Sequence, residues 1–321
     1  VTTAGWKGTF AYDKLIQMLI WQILKPGTAV VLGGTWRVPV LMELLDKNFV
    51  KDLKADGTFN ETSFAREYES IWSGSAEDAF FNSDMFDKHR EIKQPEYEYS
   101  GRSTKDSYYL LSVDVGRIGC SSVVCVFKVI PQPEGNSIKK LVNMYTFDEE
   151  HMGIQALRIK SLFYKYKAKA VVIDGNGLGV GLIDFMVIKS IDEATGDEYP
   201  AFDVINDTEG LYKKFKTVDS EKEAIYIIKA NAPLNTEIHS NCSAQINAGK
   251  VKFLEDERFA KSKLLGTKVG ENMTPEQRAE YLRPFTLTSI LKEEMMNLRE
   301  EHDGVNIILK QANRKIKKDK F

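Results

Sequence analysis

Two short apolar runs, each ending in an aspartate followed by glycine, constrain this chain most. The first run, YYLLSVDVGR, spans residues 108–117 and contains Asp114, and the second, AVVIDGNGLG, spans residues 170–179 and contains Asp174. Runs this short, rich in Val, Leu, Ile and Tyr and closing on glycine, predict buried strands rather than helices. A carboxylate at the end of a buried strand is costly unless a cation or a set of donors receives it. Both aspartates are therefore candidate functional residues.

The repetition of the pattern decides between two interpretations of these aspartates. A single VDVG is most simply a turn aspartate that caps a strand end. Two such ends match what hard divalent cations need, which is oxygen ligands on rigid strand ends. The glycines after Asp174 let the backbone turn tightly and come close to a ligand. A nucleotide-phosphate loop is the rival interpretation of GNGLGVG, but its G-x-G-x-G-x-G spacing differs from the G-x-G-x-x-G fingerprint.

Length and composition limit the class of protein that this chain can be. A chain of 321 residues is long enough for one large or two ordinary domains. Its three cysteines contain no C-x-x-C pair, which indicates a reducing compartment, and its four scattered histidines give little support for zinc. The most apolar run, LIQMLIWQIL at residues 15–24, is half the length of a bilayer span, so we expect a core helix and no membrane association. With a net charge of −2, binding to DNA would depend on local basic patches.

Element patterns predict an α/β chain throughout. Residues 1–72 predict a strand end at VTTAG, a helix at 12–24, a strand TAVVLGG at 28–34 and a helix at about 40–53. A polar stretch follows at 73–107, with Phe80, Phe81 and Phe86 as docking aromatics. From there we expect strands at 108–115, 121–130 and 141–147, a helix at 151–166, a strand at 170–174 and a helix at 179–189. Three hairpin-connected strands followed by helix, strand and helix predict a mixed sheet flanked by helices.

At these motifs the chain resembles the nuclease domain of tailed-bacteriophage terminase large subunits, which are DNA-packaging motor proteins. The matching pieces are SVDVG with Asp114, VVIDGNGLGVGLID with Asp174, INAGKVKF near Gly249 and IKKDKF with Asp319. Upstream, VTTAGWKGTFAY and FAREYESIWSG resemble the end of that family's ATPase domain and the passage into its nuclease. The order and spacing of these motifs are more specific than any one of them.

The resemblance implies a fold and a domain plan. It implies a ribonuclease H-like mixed sheet flanked by helices, preceded by a partial P-loop-type ATPase α/β segment. The expected boundaries are 1–72 for the C-terminal remnant of the ATPase domain, 73–107 for a linker region and 108–321 for the nuclease domain. In such a fold the first and fourth strands are neighbours, which would bring Asp114 and Asp174 to the same edge.

The resemblance also implies an activity, a metal site and partners. The activity is that of a metal-dependent endonuclease that cuts concatemeric double-stranded genomic DNA by two-metal hydrolysis, using Mg²⁺ or Mn²⁺, in a motor that packages DNA into the procapsid. Asp114 would bridge the cations, Asp174 would be the second ligand, and Asp319 would be the third, with Asp184 as an auxiliary acid. The implied partners are a portal protein, a terminase small subunit and other copies in a ring, in the host cytoplasm.

Three other acids compete with Asp319 for the third position. Asp303 lies in a His-Asp-Gly turn and is more simply a turn residue. Glu293 and Glu294 lie on a predicted helix whose acids we expect to face water.

Basic residues in three places are candidates for DNA contact. LYKKFK interleaves lysines with aromatics that could stack on bases, although a solubilising loop explains it equally well. NAGK predicts a hairpin turn whose lysines lie on an exposed ribbon, and the C-terminal run is the most basic segment. The candidates are Lys213, Lys214, Lys216, Lys250, Lys252, Lys315, Lys317 and Lys318.

The sequence contains no G-x-x-x-x-G-K-[ST] phosphate loop. By resemblance, Thr2 and Thr3 in TTAG belong to a coupling motif that links ATP hydrolysis to movement, whereas an ordinary strand-to-loop turn is the simpler interpretation. We expect ATP to be a cofactor of the full-length parent only, with no ATPase activity in this chain alone.

Two other functions remain open from the sequence. A transposase or integrase of the same fold would use the same carboxylates but join strands, although the TTAG and FAREYES segments argue against it. A non-catalytic motor module that grips DNA would bind DNA in a salt-sensitive manner without any metal-dependent cleavage.

Overall fold

The computed structural model describes most of the chain in two units. Contacts divide it into Val1–Ala79 and Phe80–Phe321. The residues described are 4–5, 10–55, 64, 67–72, 79–101, 106–116, 121–148, 150–312 and 316. The predicted boundaries at residues 72 and 107 remain predictions.

The first unit is helical in its described residues. Its helices are α1 (Phe10–Leu24), α2 (Arg37–Leu41) and α3 (Phe49–Ala55). The predicted helix at 12–24 is present, but its assignment to a core is wrong, because residues 19–24 are all exposed. Apolar composition alone does not bury a helix when no packed face covers it.

Two further predictions in this unit are wrong. Residues 28–34 form no strand, and Leu32 is 90% exposed, because a strand needs a partner ladder and none of the described residues provides one. In place of a single helix at about 40–53 there are two short ones, α2 and α3. Glu43 between them has a φ of 58°, a left-handed conformation that interrupts a right-handed helix.

A seven-stranded sheet forms the centre of the second unit. Its order is β7-β8-β4-β1-β2-β3-β9. The strands are β1 (Tyr108–Asp114), β2 (Ser121–Ile130), β3 (Ile138–Asp148), β4 (Ala170–Asp174), β7 (Phe202–Val204), β8 (Glu221–Ile228) and β9 (Val251–Lys252). Two separate pairs add β5 (Ser190–Ile191) with β6 (Glu198–Tyr199), and β10 (Leu298–Asp303) with β11 (Asn306–Gln311).

The strand directions identify the fold. β2 runs antiparallel to both β1 and β3, whereas β4 runs parallel to β1, and β8 runs parallel to β4. An order of 3-2-1-4-8 in which only the second strand is reversed is that of the ribonuclease H-like fold. The predicted fold class of the second unit is therefore confirmed.

Helices pack on both faces of the sheet. The helices of this unit are α4 (Ser83–Lys88), α5 (Met152–Tyr166), α6 (Leu178–Met186), α7 (Ala232–Asn247), α8 (Glu257–Leu265), α9 (Lys268–Asn272) and α10 (Pro275–Met296), of which α8 packs on α10, and α9 on α8, rather than on the sheet. On one face, α5 and α6 bury Ile159, Phe163 and Leu182 against β1 and β4. On the other face, α4, α7, α10 and the β10–β11 pair form a second core on β2 and β3.

The second core leaves part of its face of the sheet uncovered. Side chains alternate along each strand, so Ser112 and Asp114 of β1 share this face with Asp174 of β4 and Tyr226 of β8. All four are exposed. The β1-β4-β8 half of the sheet is thus open to solvent on the face that carries both aspartates.

The segment predicted as a linker contributes to the second unit. Phe81 and Phe86 are buried, as expected of docking aromatics, and the ring of Phe86 stacks on Phe253 at 3.8 Å between centroids. Ile92 forms a parallel bridge to Leu254. Residues 80–101 are therefore partly folded onto the core rather than extended as a tether.

Lys160 of α5 holds the β5–β6 region against the core. Lys160 is fully buried. Its Nζ donates to the carbonyl oxygens of Ile188 at 2.5 Å and Pro200 at 2.8 Å, and to Ser190 Oγ at 3.2 Å. Burial lowers the pKa of Lys160 to about 8. The folded chain therefore favours the neutral amine more than the unfolded chain does.

Candidate metal centre at the carboxyl ends of β1 and β4

Asp114 and Asp174 occupy matching positions on adjacent parallel strands. Val113 pairs with Ile173 in register, and each is followed by the aspartate that ends its strand. Neighbouring strands are about 4.8 Å apart, and matched positions point to the same face. Both aspartates are exposed, whereas Val113 and Ile173 are buried on the opposite face. The structure thus brings together the two acids that the sequence singled out.

Backbone and side-chain hydrogen bonds fix the end of β4. The N–H of Asn176 donates to Asp174 Oδ1 at 2.9 Å, and the N–H of Gly175 donates to the Ile228 carbonyl at 2.8 Å. Asn176 Nδ2 donates to the Ala230 carbonyl at 3.1 Å. The turn is therefore tied to β8 and the residues after it, and Asp174 is held by its own Asx turn.

Glycines allow α6 to begin directly behind Asp174. Gly177 precedes the helix with a φ of 56°, a conformation that side chains disfavour. At Gly179 a Cβ would lie only 1.6 Å from the Asp174 carbonyl oxygen. The helix therefore approaches the strand end as closely as a residue without a side chain permits. The tight turn predicted from GNGLGVG is present.

A buried serine holds the segment that follows Asp114. The N–H of Gly116 donates to Ser122 Oγ at 2.9 Å, and Ser122 Oγ donates to Gln155 Oε1 at 2.6 Å. Ser122 and Gln155 are both fully buried. Sequence reasoning missed this pair, although a polar residue at the start of an otherwise apolar strand was an available signal. The bonds link the β1 end to α5.

The third acid is not settled by the described part of the chain. Asp319 lies outside it, as do Lys315, Lys317, Lys318, Thr2 and Thr3. Within it, no group of three or more His, Cys, Asp or Glu residues has the arrangement of a metal site.

The other candidate acids are in different places. Asp184 is exposed on α6. Burial raises the pKa of Tyr212, and the charges of Asp184 and Asp207 raise it further, so Asp184 lies near that ring. Asp303 ends β10 and is exposed. Glu293 is exposed, but the expectation that both helix acids face water is wrong for Glu294, which is 2% exposed on the packed face of α10.

The LYKKFK segment differs from its predicted role in two respects. It forms a 3₁₀ turn, Lys213–Phe215, and the rings of Tyr212, just before the turn, and Phe215, its last residue, are partly buried against the core. Their packing leaves less ring surface for stacking than an open loop would. Lys213 and Lys214 are exposed, whereas Lys216 Nζ pairs with Asp203 Oδ2 at 2.6 Å.

The predicted NAGK hairpin is wrong. Asn247 ends α7, Gly249 turns with a φ of 68°, and β9 then pairs parallel to β3. Neither lysine lies on an exposed ribbon. Lys250 is half-buried, and the side chain of Lys252 is 16% exposed, with Nζ 2.6 Å from Glu91 Oε1. A helix end and a hairpin turn share the same Asn-Ala-Gly signal, and the pairing partner decides between them.

One further lysine was missed. Lys229 follows β8 and is exposed, and its Cγ would lie 3.4 Å from a Cβ on Gly175. The side chain of an exposed lysine therefore starts beside the Asp174 turn.

In the described ranges, no helix has both the length and the apolar character of a membrane span.

The second unit is a domain of the ribonuclease H-like class. Its sheet carries paired carboxylates at the ends of β1 and β4. No protein-family model and no curated protein matches the sequence. Several solved structures similar to the chain are large terminases or their nuclease domains.

Three of these structures illustrate the similarity. The large terminase nuclease of thermophilic phage G20c with bound magnesium is 16% identical, with a TM-score of 0.40 over 76% of this chain and 93% of that chain. The nuclease domain of Thermus phage P74-26 is 15% identical, with a TM-score of 0.38 over 75% and 88%. The HK97 bacteriophage large terminase is 9% identical, with a TM-score of 0.39 over 95% of this chain and 58% of that chain.

Proposed function

We propose that this chain carries the metal-dependent DNA endonuclease of a tailed-phage terminase large subunit. The observation that supports it most is the matched register of Asp114 and Asp174, which lie at the carboxyl ends of two central strands on the open face of a ribonuclease H-like sheet. Two exposed carboxylates on one face, about 4.8 Å apart from strand to strand, suit a shared cation better than two independent turns. The order of motifs in the sequence points to the same family.

The donor set fits magnesium or manganese. Asp114 and Asp174 offer only carboxylate oxygens, which are the ligands these cations prefer over the nitrogen and sulfur of zinc sites. Asp114 would bridge two cations, Asp174 would be the second ligand, and Asp319 would complete the site, with Asp184 as an auxiliary acid. When bound, the two cations would activate a water molecule and stabilise the leaving oxygen of a phosphodiester. The role of the protein is to hold both carboxylates rigidly, through the Asn176 turn and the Ser122 bonds.

The wider context follows the family. The full-length parent would use ATP to package concatemeric double-stranded DNA into a procapsid, with a portal protein, a small subunit and a ring of copies, in the host cytoplasm. Residues 1–72 would be the remnant of its ATPase domain, 73–107 the linker and 108–321 the nuclease. Because the sequence holds no phosphate loop, this chain alone should not turn over ATP.

Plasmid nicking tests the proposal. Supercoiled DNA is incubated with the chain and Mn²⁺, Mg²⁺ or a chelator, and open-circle product is measured. Asp114→Asn and Asp174→Asn each remove one ligand charge, so cleavage should fall further than the roughly 10- to 100-fold loss typical of outer-shell partners. Asp192→Asn is the matched control, because Asp192 directly follows a strand, β5, and, like Asp174, accepts the N–H of the residue two positions later, here Ala194 at 2.9 Å.

Unchanged nicking by Asp174→Asn would end this proposal. Loss of cleavage on Asp319→Ala, with metal binding retained, would support the third ligand. Joining of DNA strands in place of simple cutting would favour a transposase-like enzyme. Salt-sensitive DNA binding without cleavage under any metal would favour a gripping module.

A further inference from the structure

A cleft of about 470 Å³ lies beside the candidate metal centre. Its lining includes Tyr226 and Ile228 of β8, Lys229, and Leu234 and Ile238 of α7. The volume is within the roughly 300–1,000 Å³ of small-molecule sites. Nothing in the proposed hydrolysis accounts for it.

The cleft shares a sheet face with the carboxylates. Asp174 pairs in register with Ile228, and Tyr226 is two residues before Ile228 on the same strand. Asp174, Ile228 and Tyr226 therefore point to the same side, and neighbouring strands are about 4.8 Å apart. A group in the cleft would lie one strand away from the candidate metal centre.

The loop of residues 206–212, which lines one side of the cleft, is fixed by hydrogen bonds to β8 and by hydrogen bonds of its own. Asn206 Nδ2 donates to the Ile227 carbonyl at 2.7 Å, and Asn206 Oδ1 accepts from the Ile227 N–H at 2.9 Å. Both carboxylate oxygens of Asp207 accept backbone N–H groups, from Leu211 and Tyr212, at 2.9 Å each. The loop thus closes on itself, and the charge of Asp207 is used within it. The cleft is therefore preformed.

The lining of the cleft is largely apolar and aromatic, with one amine, Lys229, and one acid besides Asp207, the exposed Glu209. Tyr226 is 44% exposed, and neither its hydroxyl nor Lys229 Nζ makes a hydrogen bond or ion pair to any residue that the structure describes. Lys213 and Lys214 add exposed amines next to Tyr212, which also lines the cleft. A flat aromatic ligand can stack on the Tyr226 ring, and a phosphate attached to it would be attracted on the Lys229 side of the cleft, away from Glu209.

We propose that this cleft binds one unpaired nucleotide of the DNA strand being cut, next to the scissile phosphate. The inference rests on the proposed nuclease function. A base held in a duplex is stacked and paired, so it enters a cleft only after leaving the stack. The preferred substrate is therefore DNA with an unpaired base beside the cut, such as a mismatch, a frayed end or a displaced strand.

Binding without metal tests this proposal separately from cleavage. Short duplexes carry the fluorescent adenine analogue 2-aminopurine, either paired or unpaired, and fluorescence and anisotropy are measured in chelator. Wild type should quench the unpaired analogue and prefer that DNA. Tyr226→Ala and Tyr226→Leu should weaken binding of unpaired DNA about 5- to 150-fold and leave binding of paired DNA unchanged.

Two variants control this measurement. Tyr226→Phe keeps the ring and should keep the preference. Tyr99→Ala is the matched control, because Tyr99 is 43% exposed but lies before β1, away from the cleft. Circular dichroism confirms that each variant is folded.

The outcomes separate the two proposals. Preference for unpaired DNA without metal-dependent cleavage would support nucleotide binding in the cleft, but it would reject the nuclease and with it the placement beside a scissile phosphate. A second outcome would keep the nuclease and reject nucleotide binding in the cleft. In that case Asp174→Asn abolishes metal-dependent cleavage, but wild type, Tyr226→Ala and Tyr226→Leu bind unpaired DNA equally well. A free deoxynucleoside monophosphate that binds the cleft as tightly as unpaired DNA would also reject the proposal for the cleft, in favour of a small-molecule site.

Discussion

Substitution of Gly179 by alanine tests how closely α6 must approach the Asp174 turn. A Cβ at this position would lie 1.6 Å from the Asp174 carbonyl oxygen and 2.8 Å from its carbonyl carbon. Both atoms are backbone, so no side-chain rotation relieves the clash. Either α6 or the end of β4 must move.

The required movement is large for a metal site. Real Cβ atoms do not come closer than 3.0 Å to other atoms, so helix and strand end must separate by about 1.4 Å. Overpacking of a well-packed region costs about 1–3 kcal/mol, which corresponds to roughly 2–12 °C in melting temperature for a unit of this size. Metal ligation tolerates only about 0.2 Å, so Asp174 should lose its place relative to Asp114.

Gly181→Ala is the matched control on the same helix. Nothing lies within 4 Å of a Cβ at Gly181. Alanine there should be neutral or should stabilise the chain by up to about 1 kcal/mol, because glycine in a helix costs backbone entropy. Urea denaturation followed by circular dichroism gives both unfolding free energies, and Mn²⁺-dependent nicking gives the activity. If Gly179→Ala matched Gly181→Ala in both measurements, the steric argument would be refuted.

Two further predictions concern buried polar side chains. The pKa of Lys160 falls from 10.5 to about 8 on folding. Between about pH 8 and 10.5 the unfolded chain therefore holds a proton that the folded chain has lost, so the free energy of unfolding of wild type should rise by up to about 3 kcal/mol across this window. Below about pH 8 this group should cause no change of stability with pH. Urea titrations should show this slope missing in Lys160→Met; parallel pH profiles of the two proteins would contradict the shift. Ser122→Ala should cost about 1–3 kcal/mol and reduce nicking, because buried Gly116 and Gln155 groups lose their partner. Ser121→Ala, which removes only a bond to exposed Asp148, should cost less than about 1 kcal/mol, and equal losses would argue against the role of Ser122.

Local patterns in the sequence were sufficient for several elements of the second unit, although β3 begins three residues earlier than predicted and α6 ends three residues earlier. The strands β1, β2 and β4 and the helix α5 lie at or within a residue or two of their predicted bounds. Apolar runs closed by glycine and a 3.6-residue period are signals carried by neighbouring residues, so no distant contact is needed to interpret them. The two aspartates were identified for the same reason, since each directly follows its own apolar run.

Only the tertiary structure decided which residues meet. The register of β1 with β4, the pairing of Lys216 and Lys252 with acids, and the burial of Glu294 all join residues distant in sequence. The absence of a strand at 28–34 has the same origin, because strand propensity is expressed only beside a partner. The cleft beside Asp174 likewise combines a loop, a strand end and a helix. Local propensity specifies a backbone conformation, but ion pairs, burial and cavities depend on which surfaces pack together, and that is a property of the whole chain.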